Sequence, residues 1–251
     1  TAPSKPQPQV KGLLRVMAVR LSKRMEALAH LVTPGSRLCD VGCDHGYLPI
    51  YLVQEQIIPS AIAMDIGEGP LLAAKTHIAE VGLEDKIQTR RSDGLAAASA
   101  EEIDTVLIAG MGGGIVIHIL TEGRKVAQSV KDLILQPQSE LKEVRRFLCN
   151  EGYEIVDEDM VLEDGKYYPM MKVRYVPETK ARRQSVAEHD FLFGPMLLKK
   201  KHPVLHAYLL REERIQKEVL ERLAGQKQTP AIEKRTQEVQ AYLQEIQRCL
   251  W

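Results

Sequence analysis

The chain has 251 residues, 44% of them hydrophobic and 27% charged. That is enough for one large domain or a medium domain with an appendage, and it excludes wholesale disorder, collagen-like repeats and a coiled coil alone. The 34 basic and 34 acidic residues cancel, which as a bare total argues against a nucleic-acid partner. The charge is unevenly spread, however: residues 1–37 carry a net +6, residues 38–180 a net −10 and residues 181–251 a net +4. An acidic middle lies between two basic ends.

Residues 1–19 read as an extension, disordered or expression-derived, that opens on the Pro-rich run TAPSKPQPQ. Between Ser22 and Val32 the apolar residues Met25, Leu28, Ala29 and Val32 recur at helical spacing, with Ser22 as N-cap and Pro34-Gly35 as the stop. Short apolar runs at 37–41, 60–64, 86–90, 105–109 and 133–136 then read as strands. They alternate with helical patterns at 48–56, 70–81, 115–126 and 140–151. Such alternation predicts βαβ units and a parallel sheet covered on both faces. Residues 153–163 and 167–175 flank Asp164-Gly165, a hairpin turn signal.

After Pro177 the composition shifts. Arg182 and Arg183 open a basic linker, and Lys199, Lys200 and Lys201 form a basic run. Leu205, Tyr208, Ile215, Val219 and Leu223, then Ile232, Val239, Leu243, Ile246 and Leu250, repeat at spacings near three and four. The break at Gly225 to Pro230 predicts an antiparallel coiled hairpin of roughly 30 Å per arm, at about 1.5 Å per residue. It is either a packing or dimerisation arm or one that holds substrate. The expected division is thus an extension at 1–19, a Rossmann-like α/β domain at 20–178 and a helical coiled-coil domain at 179–251.

Four cysteines, Cys39, Cys43, Cys149 and Cys249, are too scattered for a disulfide framework. Cys39 and Cys43 lack the second pair that a zinc site needs, so we expect no metal and a reduced, cytoplasmic protein. The most apolar run, Thr105 to Leu120, is broken by four glycines and is too short for a bilayer span; no signal peptide is visible.

In an open α/β sheet, ligands bind beyond the carboxyl ends of the strands. There the first strand turns into a helix through Asp40-Val41-Gly42-Cys43-Asp44-His45-Gly46-Tyr47-Leu48-Pro49. A dinucleotide fingerprint needs glycine in its middle position so that backbone can approach a pyrophosphate. Asp44 stands there instead, and a carboxylate opposes a pyrophosphate. S-adenosylmethionine fits better, because it carries a sulfonium and an ammonium and no phosphate. Asp65, ending the second strand, either accepts from ribose hydroxyls or caps the next helix before Gly67. Asp93-Gly94 either receives an adenine amino group or forms a plain turn. Gly110, Met111, Gly112, Gly113 and Gly114 follow the fourth strand, where four glycines point to close approach to the backbone, or else to a flexible loop.

The parallel core with a terminal hairpin resembles class I methyltransferases. The strings DVGCDHGYLP, IAGMGGG, LILQPQ and EDGKYYPMM resemble the bacterial TrmK family, the tRNA (adenine(22)-N1)-methyltransferases, from about Leu21 to Trp251. One departure is Gln138, where the family more usually has Asn. The resemblance implies methyl transfer from S-adenosylmethionine to N1 of an adenine in tRNA. It further implies cofactor contacts at Asp40, Gly42, Asp44, Gly46, Tyr47, Leu48, Asp65, Ile66, Ser92, Asp93, Gly94, Ala109, Gly110 and Met111. The adenine side would be formed by Asp44, His45, Met111, Gly112, Gly113, Gln136, Pro137 and Tyr167.

A ring-nitrogen nucleophile needs geometry and exclusion of water rather than a strong base, and its Watson–Crick edge must be freed from pairing. The tRNA backbone would be held by Lys23, Arg24, Arg182, Arg183, Lys199, Lys200 and Lys201. With aromatics at 5%, extended stacking surfaces are not expected. A monomer is expected. A methyltransferase with another substrate and a non-catalytic cofactor-binding module are the alternatives; a nicotinamide oxidoreductase is disfavoured by Asp44.

Overall fold

The computed structural model describes residues 20–178, 186–227 and 229–251. Arg182 and Arg183 therefore lie outside the described residues, as does the 1–19 extension. Helix α1 (Lys23–Leu31) starts as its sequence predicts, with Ser22 Oγ accepting from the Met25 N–H at 3.3 Å. It buries Ala27, Leu28, Ala29 and Leu31. Then come β1 (Leu38–Val41), α2 (Tyr47–Gln54), β2 (Ala61–Asp65), α3 (Glu68–Glu80), β3 (Ile87–Arg91), β4 (Thr105–Met111) and α4 (Gly113–Glu122). They are followed by α5 (Arg124–Ala127), β5 (Asp132–Pro137), α6 (Leu141–Glu151), β6 (Tyr153–Glu163) and β7 (Lys166–Tyr175).

The seven strands form one sheet in the order β3-β2-β1-β4-β5-β7-β6. The first five pair in parallel, and β7 runs antiparallel between β5 and β6. The order reverses between β1 and β4, and ligands bind at such switch points. β1 and β5 are buried along their whole length. Alternate strand residues therefore feed two cores. Leu38, Ala63, Leu107 and Ile134 pack with α1, α2 and α3 on one face. Val41, Met64, Ile108 and Leu135 pack on the other face with Val116, Leu120 and Leu148. The β6–β7 turn is the expected one, with Asp164 and Gly165 at φ 50° and 74°.

The helix expected over 115–126 is split in two, while α2, α3 and α6 lie within two residues of their expected bounds. α4 starts at Gly113 rather than at 115 and ends at Glu122, with α5 continuing after Gly123. A Cβ at Gly123 would meet Leu95 Cβ at 2.6 Å, so the chain breaks there to pack on the β3–β4 connection.

The C-terminal segment holds α7 (Glu188–Phe193), α8 (Pro195–Lys199), α9 (Pro203–Ala224) and α10 (Pro230–Cys249). The last two pack against each other, with Gln247 Nε2 donating to Glu213 Oε1 at 3.2 Å. Their base rests on the sheet edge: Met160 of β6 joins Phe193, Leu197, Leu205, Leu209 and Ile246 in a third core. An ion pair ties this junction. Arg145 and Glu158 have side chains 2% and 0% exposed and meet at 3.1 Å. Arg145 Nη1 donates to the carbonyls of Phe191 and Leu192, while Glu158 Oε2 accepts from the N–H groups of Met196 and Leu197. One pair thus satisfies the end of α7 and the start of α8. Burial raises the Glu158 pKa, and Arg145 works against that rise.

Candidate functional site

A cleft of about 450 Å³ opens beyond the carboxyl ends of β1, β2 and β4. Asp40, Gly42, Cys43, Asp44, His45, Tyr47 and Leu48 line it from the β1–α2 turn. Asp65 lines it from β2, and Leu107, Ala109, Gly110 and Met111 from β4. Arg24, Met25 and Leu28 close it from α1, and Gln138 from beyond β5.

The β1–α2 turn is built for close approach. Gly42 has φ 78°, and a Cβ there would collide with Met111 Cε. Asp44 takes the left-handed φ of 48° that Asp tolerates better than most residues. It lies exposed beside His45, with Nε2 and Oδ1 3.4 Å apart. Tyr47 is the first residue of α2, and its ring stacks with His45 at 5.5 Å and with His77 at 4.9 Å.

Asp40 is the cleft's deeply buried carboxylate, 5% exposed. Burial pushes its pKa up to about 7, and the charge of Asp65 adds to the rise. A cationic ligand would relieve both. Asp65 serves two ends: Oδ1 accepts from the Gly67 N–H at 2.8 Å, closing the turn before α3, which has Gly67 as N-cap and no side-chain cap, while the residue also faces the cleft.

Several expected contacts are placed elsewhere. Ser92 is buried, with its hydroxyl donating to Gly94 O at 2.8 Å and accepting from the Ala97 N–H at 3.0 Å, so it shapes its own turn. Ile66, Asp93 and Gly94 lie at the neighbouring strand ends, outside the cleft lining. Gly112 and Gly113 do not face the cleft either. Gly112 is the N-cap of α4, and a Cβ on Gly113 would sit 2.6 Å from Ser139 O. The N–H groups of Gly113 and Gly114 are taken by Ser139 Oγ and Glu140 Oε2.

Gln136 and Pro137 are buried in β5, outside the cleft lining. Gln136 Oε1 instead accepts from the Gly110 N–H at 3.2 Å and from Arg24 Nη1 at 3.0 Å. Tyr167 points to the other side of β7, edge-on to Tyr208 at 5.1 Å and under Arg211. Its neighbour Tyr168 lies on the cleft side, below Arg24.

Of the expected phosphate contacts, Lys23, Lys199 and Lys201 are exposed. Lys200 is engaged by Asp157 and by Glu158 O. Arg24 faces the cleft. The sequence reading missed Arg24, Met25, Leu28, Cys43, Leu107 and Gln138 as cleft residues. The helical stripe of α1 carried a signal of burial but not of what it covers.

The fold and this cleft define a Rossmann-like methyltransferase, and a family described as "Methyltransferase domain" matches residues 21–171. The Bacillus subtilis tRNA (adenine(22)-N(1))-methyltransferase is 36% identical over 186 residues, 74% of this chain and 78% of that protein. The crystal structure of the B. subtilis m1A22 tRNA methyltransferase TrmK superposes with a TM-score of 0.81 at 30% identity, covering 93% of this chain and 100% of that one. A Streptococcus pneumoniae structure in complex with S-adenosyl-L-methionine superposes at 0.80 with 34% identity, covering 92% and 100%. The chain belongs to the bacterial tRNA (adenine(22)-N1)-methyltransferase family.

Proposed function

We infer that this protein transfers a methyl group from S-adenosylmethionine to N1 of adenine 22 of tRNA. The observation that carries this reading is the buried, uncompensated Asp40 at the strand-order switch, in a cleft that also holds Asp65 and Asp44. Such a site disfavours phosphate and favours a cation. When bound, S-adenosylmethionine supplies the methyl group on a sulfonium.

Asp40 and Asp44 give the cleft its negative potential. Asp65 Oδ2, the oxygen not used by Gly67, is available to ribose hydroxyls. Tyr47 and Leu48 cover the cofactor side, and Ala109, Gly110 and Met111 bring backbone and one thioether to the acceptor side. The adenine ring nitrogen attacks with its own lone pair, so these residues need only align it and exclude water. Gln138 and His45 are the polar side chains set to meet the base. Gln136, Gly112 and Gly113 act by holding the β4–α4 turn in place.

The target must be unpaired or flipped out. Lys23, Lys199 and Lys201, with Arg182 and Arg183 in the linker, are proposed to hold the tRNA backbone. Among the described residues no cluster suited to a metal ion occurs, and no helix is long and apolar enough to cross a membrane. We propose a monomer acting in the reducing setting of the cytoplasm.

The test is tritiated methyl transfer to unmodified tRNA followed by mapping of the modified base. Incorporation at N1 of adenine 22 supports the reading. Methylation only elsewhere, or of a different substrate class, overturns it. Cofactor binding without turnover on any RNA favours a non-catalytic module.

A further inference from the structure

The cleft is electrically polarised. Three carboxylates, Asp40, Asp44 and Asp65, lie at the β1 and β2 ends, and the guanidinium of Arg24 lines the β4–β5 side. Arg24 is half-buried, and its side-chain hydrogen bond among the described residues goes to the neutral amide of Gln136. No carboxylate of the cleft compensates it. A half-buried charge without a counter-charge is costly, so such an arrangement is kept only where something else uses it.

The guanidinium is also held in one orientation. Gln136 is fully buried, and its Oε1 is pinned by the Gly110 N–H as well as by Arg24. Beneath the fork lies the Tyr168 ring, with Arg24 Cζ 5.6 Å from its centroid. Above it is open backbone: Nη1 stands 3.5 Å from where a Cβ would project from Gly110. A guanidinium carries five N–H donors in a rigid fork that matches the paired oxygens of a carboxylate or phosphate.

We propose that Arg24 is the oxyanion anchor of the cleft, binding the paired oxygens of a carboxylate or phosphate on a bound ligand. The proposal rests on the methyltransferase reading, which supplies two such groups. They are the α-carboxylate of the cofactor's methionine moiety and the phosphate of the target nucleotide. The edge of the base that carries N1 is not a partner. Methylation there leaves the adenine cationic, and a guanidinium facing it would repel the product.

Arg24→Met keeps the length of the stem and removes the donors; Arg24→Lys keeps the charge and loses the fork. Calorimetric titration with S-adenosylhomocysteine and with its decarboxylated analogue reads the first source. If the anchor holds the carboxylate, Arg24→Met weakens S-adenosylhomocysteine about ten- to a hundredfold and leaves the analogue unchanged, with Arg24→Lys between. If it holds the phosphate, S-adenosylhomocysteine binds as before. tRNA binding then weakens, and the slope of log K against log salt falls by about one. A variant that only melts earlier, with both affinities and the salt slope intact, overturns the proposal. Methyl transfer by the unmodified protein judges the parent reading separately. Normal methylation of tRNA together with indifferent Arg24 variants removes the anchor alone.

Discussion

Asp40 is expected to couple cofactor binding to pH. Its carboxyl is 5% exposed, and burial with the charge of Asp65 lifts its pKa to about 7. If a bound sulfonium and ammonium require the ionised form, binding must first release a proton wherever Asp40 is still protonated. With a free-state pKa of about 7, the ionised fraction falls by about tenfold between about pH 8 and about pH 6. Affinity for S-adenosylmethionine should fall by the same factor, and calorimetry in buffers of different ionisation enthalpy should detect about half a proton released near pH 7.

The other titratable or charged groups lining the cleft are Arg24, Cys43, Asp44, His45, Tyr47 and Asp65, so Asp40→Asn is the necessary reference: the difference between the two profiles isolates Asp40. The stability of the empty protein should move the opposite way. A raised carboxyl pKa stabilises the fold below the ordinary carboxylate range, and that contribution is lost as pH rises through about 7. Asp40→Asn should therefore raise the melting temperature at about pH 8 while it weakens the cofactor. Identical affinity profiles in the parent and Asp40→Asn proteins between about pH 6 and pH 8 would refute the reasoning.

Gln136→Leu removes the acceptor shared by the Gly110 N–H and Arg24; we expect about 1–3 kcal/mol lost in urea unfolding and a weakened cofactor. Gly194→Ala places a Cβ 2.5 Å from Glu158 Oε1 at a φ of 96°, so at least about 2 kcal/mol should be lost, read as a shifted denaturation midpoint. Reversing Lys199 and Lys201 to Glu, with Lys200 left on Asp157, should weaken tRNA binding and lower its salt slope by about two. An unchanged slope in filter binding would take the basic run out of RNA recognition.

The parallel core and the β1–α2 turn were legible because their signals are local. An apolar run ends in an acid, and a glycine turn opens a helix within ten residues. What failed was decided by packing between distant segments. Tyr167 and Tyr168 are adjacent, and only the side of β7 taken by α9 decides which one faces the cleft. The expectation of Gln136 beside the adenine rests on the family resemblance alone. It is buried within β5 and meets the Arg24 guanidinium, a partner 112 residues away in sequence. Lys200 looks equal to its two neighbours until Asp157 is brought beside it. Ser92 and Gly113 carry the composition of ligand-binding turns, but Ser92 uses its hydroxyl on its own turn and the Gly113 N–H goes to Ser139 on the next loop.

The Arg145–Glu158 pair bears on how such a chain can be divided. Its charges face the two short helices of the C-terminal segment and are dry only while those helices are seated. A fragment ending after β7 would expose a bare arginine and glutamate amid the apolar edge left by Met160, and the severed helices would lose the groups that close their ends. The two halves are therefore not interchangeable cassettes. Grafting this arm onto another sheet would require carrying over both charges and the glycine between the helices, and proteolysis between the halves should yield pieces that melt together or not at all.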